Sequence, residues 1–181
     1  SEMCIRDSPS YDLRTHLYLT AGVDLTAVDG IDVLLAQDIL AEIGTDMSKW
    51  PSEKHFASWL GLSPNNKSSA GKVFSRHTKS TSNRAATAFR LAAQSVHRSQ
   101  SELGVFYRRI KAKHGAPVAI TATAHKIARI VYQMLKHRTP YANPGVDAYL
   151  DQQRQRALRS LHRFAHKLGF QLIPENQPAV S

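Results

Sequence analysis

Residues 117–137 restrict how this 181-residue chain can fold more than any other stretch. Val118, Ile120, Ala124, Ile127, Ile130, Val131, Met134 and Leu135 recur there at helical spacing, and Pro117 suits the first position of a helix. A helix this apolar persists in water only if other elements cover most of its circumference, so it is expected to be the most buried element. The rest of the sequence offers helices for that purpose. Apolar periodicity and cap signals predict a short helix over 11–20 with Leu13, Leu17 and Leu19 near helical spacing. A second runs from Val33 to Ile43 between the cap Asp32 and the stop Gly44, its stripe including Leu34. A third is opened by Pro51-Ser52, buries Phe56, Trp59 and Leu60, and is stopped by Gly61. A fourth, from about Asn83 to Ser99, is capped by Ser80 or Ser82, and its alanine-rich side (Ala85, Ala86, Ala88, Ala92, Ala93) implies close packing. A fifth covers about Ser101 to Lys113 with Leu103, Phe106, Tyr107 and Ile110 inward, and a last, basic one covers about Val146 to Leu168.

The expected fold is therefore all-α. A compact helical domain is assigned to residues 11–140, with a helix-hairpin-helix-like part at about 24–44, and a C-terminal basic helix to 141–173. Residues 1–10 read as a non-native or disordered leader, because SEMCIRDS is similar to translated adapter read-through. Residues 174–181 read as a disordered tail. The basic helix has a narrow apolar stripe (Tyr149, Leu158, Leu161, Phe164) that suits docking on the body, pairing with another helix, or lying along nucleic acid.

Between the third and fourth helices the stretch Gly61–Arg90 holds no Asp or Glu and is rich in Ser, Gly, Asn, Lys and Arg. It reads as a long polar loop. The charge of the whole chain, +10, turns over at its start. Residues 1–66 carry 4 Lys/Arg against 10 Asp/Glu, residues 67–115 carry 11 against Glu102 alone, and residues 116–181 carry 9 against 3. Such asymmetry favours a nucleic-acid face over a merely solvated basic surface. Lys67, Lys72, Arg76, Lys79, Arg84, Arg90, Arg108, Arg109, Lys111 and Lys113 are the candidate phosphate contacts.

Other chemistries are poorly supplied. One cysteine, Cys4, excludes an intramolecular disulfide framework and a Cys-based zinc site. No apolar run reaches the length of a membrane span, and a cytoplasmic location follows as the simple expectation. His162 and His166 share a helix face without an evident third ligand. His125 reads as a core histidine. The basic two-thirds lacks the clustered carboxylates of two-metal chemistry, so no metal site is assigned. A serine on the basic loop, Ser69 or its neighbour Ser68, fits either a nucleophile toward a phosphodiester or a simple phosphate contact. The Asp29-Gly30-Ile31 turn fits either a hairpin that offers backbone N–H groups to a phosphate, through Gly30 and Ile31, or a structural corner.

Several strings together carry a family resemblance: VDGIDVLLAQDILAEIG at 28–44, FASWLGLSPNN at 56–66, SSAGK at 68–72, SNRAATAFRLAA at 82–93, LGVFYRRIKAKHGAPVAITATAHKIARIVYQML at 103–135 and TPY at 139–141. In order and spacing they resemble the C-terminal half of transposases of the insertion-sequence 110/116/902 family. That resemblance implies a transposase, a DNA recombinase of a mobile element in a bacterium, acting near the nucleoid. It further implies a serine nucleophile in a Ser-Gly-Gly-like motif, a structured guide (bridge) RNA as partner beside DNA, and homo-oligomers in the full-length form. The serine falls on Ser69, with Ser68 as the alternative because Ala70 stands where the family often has Gly. The family's RuvC-like half, with its Asp-Glu-Asp-Asp set and divalent metal such as Mg, is expected upstream of this chain. By itself the chain is expected to be inactive in strand exchange. A non-catalytic DNA- or RNA-binding helical module is the alternative.

Overall fold

The apolar stretch folds as a 22-residue helix, Ala116–His137, and three other helices pack against it. The computed structural model describes residues 11–64, 67–69, 72–75, 78, 83–143 and 145–173, with the backbone alone at 67–69 and 72–75. Among these residues there are seven α-helices: α1 (Leu13–Ala21), α2 (Val33–Ile43), α3 (Glu53–Trp59), α4 (Arg84–Ser95), α5 (Glu102–His114), α6 (Ala116–His137) and α7 (Val146–Lys167). The all-α expectation holds for the packed body. One addition was not anticipated: within the expected loop lie two short antiparallel strands, β1 (Lys67–Ser69) and β2 (Lys72–Ser75). The leader 1–10 and the tail 174–181 lie outside the described residues.

Local chemistry starts and stops these helices. Asp12, Asp32, Ser52, Asn83 and Ser101 each accept a hydrogen bond from a backbone N–H of the following first turn, which would otherwise lack a partner. The cap of α4 is Asn83, not Ser80 or Ser82, because its amide oxygen is the one that meets the Ala86 N–H, at 3.1 Å. The same helix stops at Ser95 and continues as a 3-10 turn, Val96–Arg98. In α6 Ala116 takes the first helical position and Pro117 the second.

α6 is covered by α3, α4 and α5, while α2 packs on α4 and α1 on α2. Its buried face includes Ala119, Ala124, Ile127, Ala128, Val131, Met134 and Leu135. Ala85, Ala86, Ala88, Ala92 and Ala93 of α4 are all buried. Their small side chains allow α4 to lie between α2 and α6 at close range. An aromatic group fixes α3: Phe56 lies 5.0 Å from Trp50, 5.6 Å from Tyr132 and 6.4 Å from Phe89, centroid to centroid. The Tyr132 hydroxyl donates to the Trp50 carbonyl at 2.8 Å and accepts from Lys136 at 2.9 Å, so the one polar atom of this buried ring is paired.

Some residues expected inside are outside. Leu19, Leu34, Trp59 and Val118 are all 41% exposed or more. The residues divide into two compact units after residue 143, three positions beyond the expected boundary at 140. Tyr141 accounts for the difference, since it still packs against the core of the first unit. The second unit is α7, a helix with exposed Leu150, Leu158, Leu161 and Phe164 beside Arg154, Arg156, Arg159 and Arg163.

Two glycines are required by contact. A Cβ on Gly104 would lie 2.1 Å from the Ser99 carbonyl oxygen, and one on Gly30 would lie 2.4 Å from that of Ala92. Gly104→Ala is expected to cost more than about 2 kcal/mol in urea unfolding, because backbone rather than a mobile side chain must yield. A loss below about 0.5 kcal/mol would show that the corner between α4 and α5 is looser than described.

Candidate nucleic-acid interface

The base of the hairpin is set by how α3 ends. Gly61 adopts φ +67°, the Gly61 N–H donates to the Ser58 carbonyl at 3.0 Å, and the Leu62 N–H reaches back to Ala57 at 3.0 Å. This paired closure of the last turn needs a left-handed residue, which glycine supplies without strain. Leu62 is then buried, at 1% exposure, and anchors the exit of the helix in the core. Two residues later Pro64 forms an antiparallel bridge with Thr78, closing the base of the excursion that carries β1 and β2.

In that excursion Lys67 pairs with Ser75, Ser68 with Val73 and Ser69 with Lys72. The register slips between Lys67 and Ser68, as at a bulge. Ser69 is therefore the last residue of β1, and Lys72 is its opposite number at the start of β2. The side chains of Lys67, Ser68, Ser69 and Lys72, and all of Arg76 and Lys79, lie outside the described residues.

Below the hairpin base is an open cavity of about 620 Å³. Leu62, Pro64 and Thr78 line it from the hairpin side; Phe106 of α5 and Val118, Thr121 and His125 of α6 line it from the other. His125 is thus a half-buried wall residue rather than a core histidine. Burial, helped by the charge of Arg129, holds its imidazole pKa below the ordinary 6.5, against the opposing pull of Glu53. Phe106 carries two cations near its ring, Lys126 with Nζ 4.9 Å and Arg109 with Cζ 5.8 Å from the centroid. No sequence signal marked this cavity, because its walls come from three separate segments.

The remaining basic candidates differ in what they do. Lys111 and Lys113 are exposed on the last turn of α5, and Arg109 is exposed one turn earlier. Arg108 is committed to structure: its guanidinium donates to the carbonyls of His97 at 3.1 Å and Ser99 at 2.7 Å, tying α5 to the preceding turn. Arg84 lies 3.9 Å from Asp38 with both side chains exposed, a contact too long and too solvated to stabilise much. Arg90 is half-buried on α4. At the other proposed contact, Ile31 is buried and Gly30, at φ +90°, sits against α4, where Ser95 Oγ donates to its carbonyl at 3.2 Å. Packing accounts for that turn without a ligand.

Several carboxylates have structural roles. Asp12, Asp24, Asp32 and Asp46 cap turns and helices. Glu102 pairs with Lys126, and Glu53 with Arg129 and Gln133. Burial pushes the Glu53 carboxyl up, but the hydrogen bonds from Arg129 and Gln133 outweigh it and hold the group below its ordinary 4.5. Among the described residues no three His, Cys, Asp or Glu side chains converge, so these residues do not fit a two-metal centre. No described helix is long and apolar enough to cross a membrane.

The segment that contains the hairpin, its base and the start of α5 is also similar to a known family. Residues 24–108, just under half of the chain, match the model of the Transposase IS116/IS110/IS902 family. The matched transposase segment starts at Asp24, takes in Ser68 and Ser69, and stops at Arg108. No curated protein matches the chain.

His125 gives this region a pH signature. Its folded pKa is depressed, so the unfolded chain binds the proton first. The stability contribution is complete above about pH 6.5 and is lost as pH falls from there toward the folded value. The His125 imidazole should titrate below 6.5 by NMR, and His125→Gln should remove that part of the pH dependence of urea unfolding. A midpoint above 6.5 would contradict the burial described.

Proposed function

We propose that this chain is the part of an insertion-sequence transposase that grips nucleic acid and presents a serine nucleophile, Ser69, to a DNA phosphodiester. The observation that carries the reading is the position of Ser69. It ends β1 within the family-matched segment, in the stretch 67–115 where 11 Lys/Arg face a single acid. Ser68, next to it in the same strand, is the alternative nucleophile. The partners are DNA and a structured guide RNA, bound through the phosphates they share.

In the chemical step Ser69 Oγ attacks phosphorus. The Oγ–P bond forms as a P–O ester bond of the DNA breaks, the hydroxyl proton departs, and the displaced DNA oxygen takes up a proton. The phosphoserine ester keeps the bond energy, so the reverse attack by another DNA end rejoins the strand without an external energy source. Cations near the phosphate stabilise the charge that grows on its free oxygens. Arg76, Lys79 and Arg84 are proposed for that role on sequence spacing, and the acidic set with its metal is proposed to come from a RuvC-like domain outside these residues.

Two measurements test this reading. Binding of the chain to DNA should weaken by about tenfold or more between 50 and 200 mM salt, which two or more neutralised phosphates require. A salt-independent affinity contradicts the basic-face reading. Combined with an acid-bearing RuvC-like domain, guide RNA and nicked suicide DNA, the chain should form a covalent protein–DNA adduct that Ser69→Ala abolishes. An adduct that survives in Ser69→Ala and disappears in Ser68→Ala moves the nucleophile by one residue. Salt-sensitive binding with no adduct in any of these mixtures leaves a non-catalytic nucleic-acid-binding module.

A further inference from the structure

We infer that α7 is a second nucleic-acid-binding element: the side of this helix that carries Arg156, Arg159, Arg163 and Lys167 lies along the phosphate backbone of duplex DNA. The inference rests on the nucleic-acid reading above and adds to it an element outside the family-matched segment.

Residue order puts the four cations on one side. α7 runs unbroken from Val146 to Lys167, roughly 33 Å at 1.5 Å per residue. Counted from Arg156, the residues Arg159, Arg163 and Lys167 follow three, seven and eleven positions on, the spacing of a single helix face. All four are exposed, and Arg156, Arg159 and Arg163 line one open hollow of about 900 Å³ together with His162. Both acids of the helix, Asp147 and Asp151, come before the first of them. Among the described residues no ion pair involves any of the four. Arg159 uses its Nε–H on the Gln155 carbonyl, at 3.3 Å, which leaves the outer N–H groups of its fork for a ligand.

The chemistry of this side selects its partner. Three of the four cations are arginine, whose planar fork holds a phosphate through two N–H groups at once. Successive cations stand ~4.5–6 Å apart along the axis and the phosphates of one DNA strand ~3.4 Å apart, so each cation can take a phosphate of its own. Between Arg156 and Lys167 this side carries no Phe, Tyr or Trp on which bases could stack, which favours a duplex over a single strand. The duplex is assigned as DNA because the chemistry proposed for Ser69 is on DNA. An anionic bilayer would suit the same composition only if the cations flanked the apolar stripe. That stripe is Leu150, Leu158, Leu161 and Phe164, and Arg159 lies opposite it. Arg154 interrupts it, four positions after Leu150 and four before Leu158. With the stripe in lipid, Arg154 would be drawn in and Arg159 held away from the headgroups.

The test uses the full 181-residue chain, duplex DNA, duplex RNA of the same sequence, and vesicles of phosphatidylcholine with phosphatidylserine. Affinities are measured across a range of salt concentrations. Arg156→Gln, Arg159→Gln and Arg163→Gln together should weaken DNA binding by about tenfold or more at ~100 mM salt and lower the slope of log affinity against log salt by about 2. Lys49→Gln with Lys54→Gln, which removes exposed cations of the first unit, should change that slope by less than ~0.5. Arg159→Glu alone, at an exposed position, should weaken binding by about threefold or more, and carries the test if the triple variant loses helicity. Salt-sensitive binding in which both α7 variants behave as the parent, or in which the Lys49 and Lys54 variant loses as much as they do, overturns the role of α7 alone. Losses confined to duplex RNA, or binding to the vesicles in place of DNA, overturn it in favour of RNA or a lipid surface. Absence of salt-sensitive binding to either duplex in the parent overturns the nucleic-acid reading and the role of α7 together.

Discussion

The first unit depends on the burial of α6. Nine of its residues are buried, among them Tyr132 and Thr123, and three helices must be brought close enough to cover them. Each buried aliphatic or aromatic side chain contributes roughly 1.5–3 kcal/mol, far more than any of the exposed ion pairs at the surface. α4 reaches close packing by having alanine at five buried positions, α5 by having glycine at 104, where any Cβ would strike the backbone at Ser99. α3 reaches it through the aromatic group around Phe56. The polar interactions refine this packing rather than drive it. Glu53 with Arg129 and Glu102 with Lys126 join the covering helices to α6 at its margin, where water is still near.

The hairpin inherits its position from that core. Once α3 is seated on α6, the left-handed Gly61 turns the chain and Leu62 pins it, so that Pro64 and Thr78 meet above the α5–α6 corner. The hairpin, the cavity beneath it and the cations of α5 are consequently three results of one packing arrangement. The acidic early part of the chain uses its carboxylates as caps and as partners for Arg and Lys. The basic residues after 66 have fewer acids to meet, so the net positive charge is left on the later part of the chain.

Much of this was readable from residue order, and the reasons are local. α2 and α3 could be bounded within a residue or two because an Asp or Ser cap opens each and a glycine closes each, and both signals act over a single turn. The dominance of α6 followed from its apolar period. Features made by distant segments were not readable. The strands look like loop in sequence, because Ser, Gly and Lys carry no alternating apolar pattern and the pairing is fixed by the bridge at its base. His125 looked like core because its neighbours along α6 are core, yet its own face turns toward the hairpin base. Arg108 was indistinguishable from Arg109 until the carbonyls of His97 and Ser99 were seen beneath it. Composition likewise marked the stretch around Ser69 as suited to a phosphate, and left open which serine acts.

Hydrogen exchange of the whole chain with and without a DNA oligonucleotide tests the central claim most directly, since it reads the core and the binding face in one experiment. In the free chain the amides of α6 from Ala124 to Leu135 should be the slowest to exchange, as expected for the element that global unfolding must expose. On adding the oligonucleotide, protection should appear at the hairpin and the end of α5, with α1 and α2 unchanged. Protection centred on α1 and α2, or an α6 that exchanges faster than α1, would contradict the account.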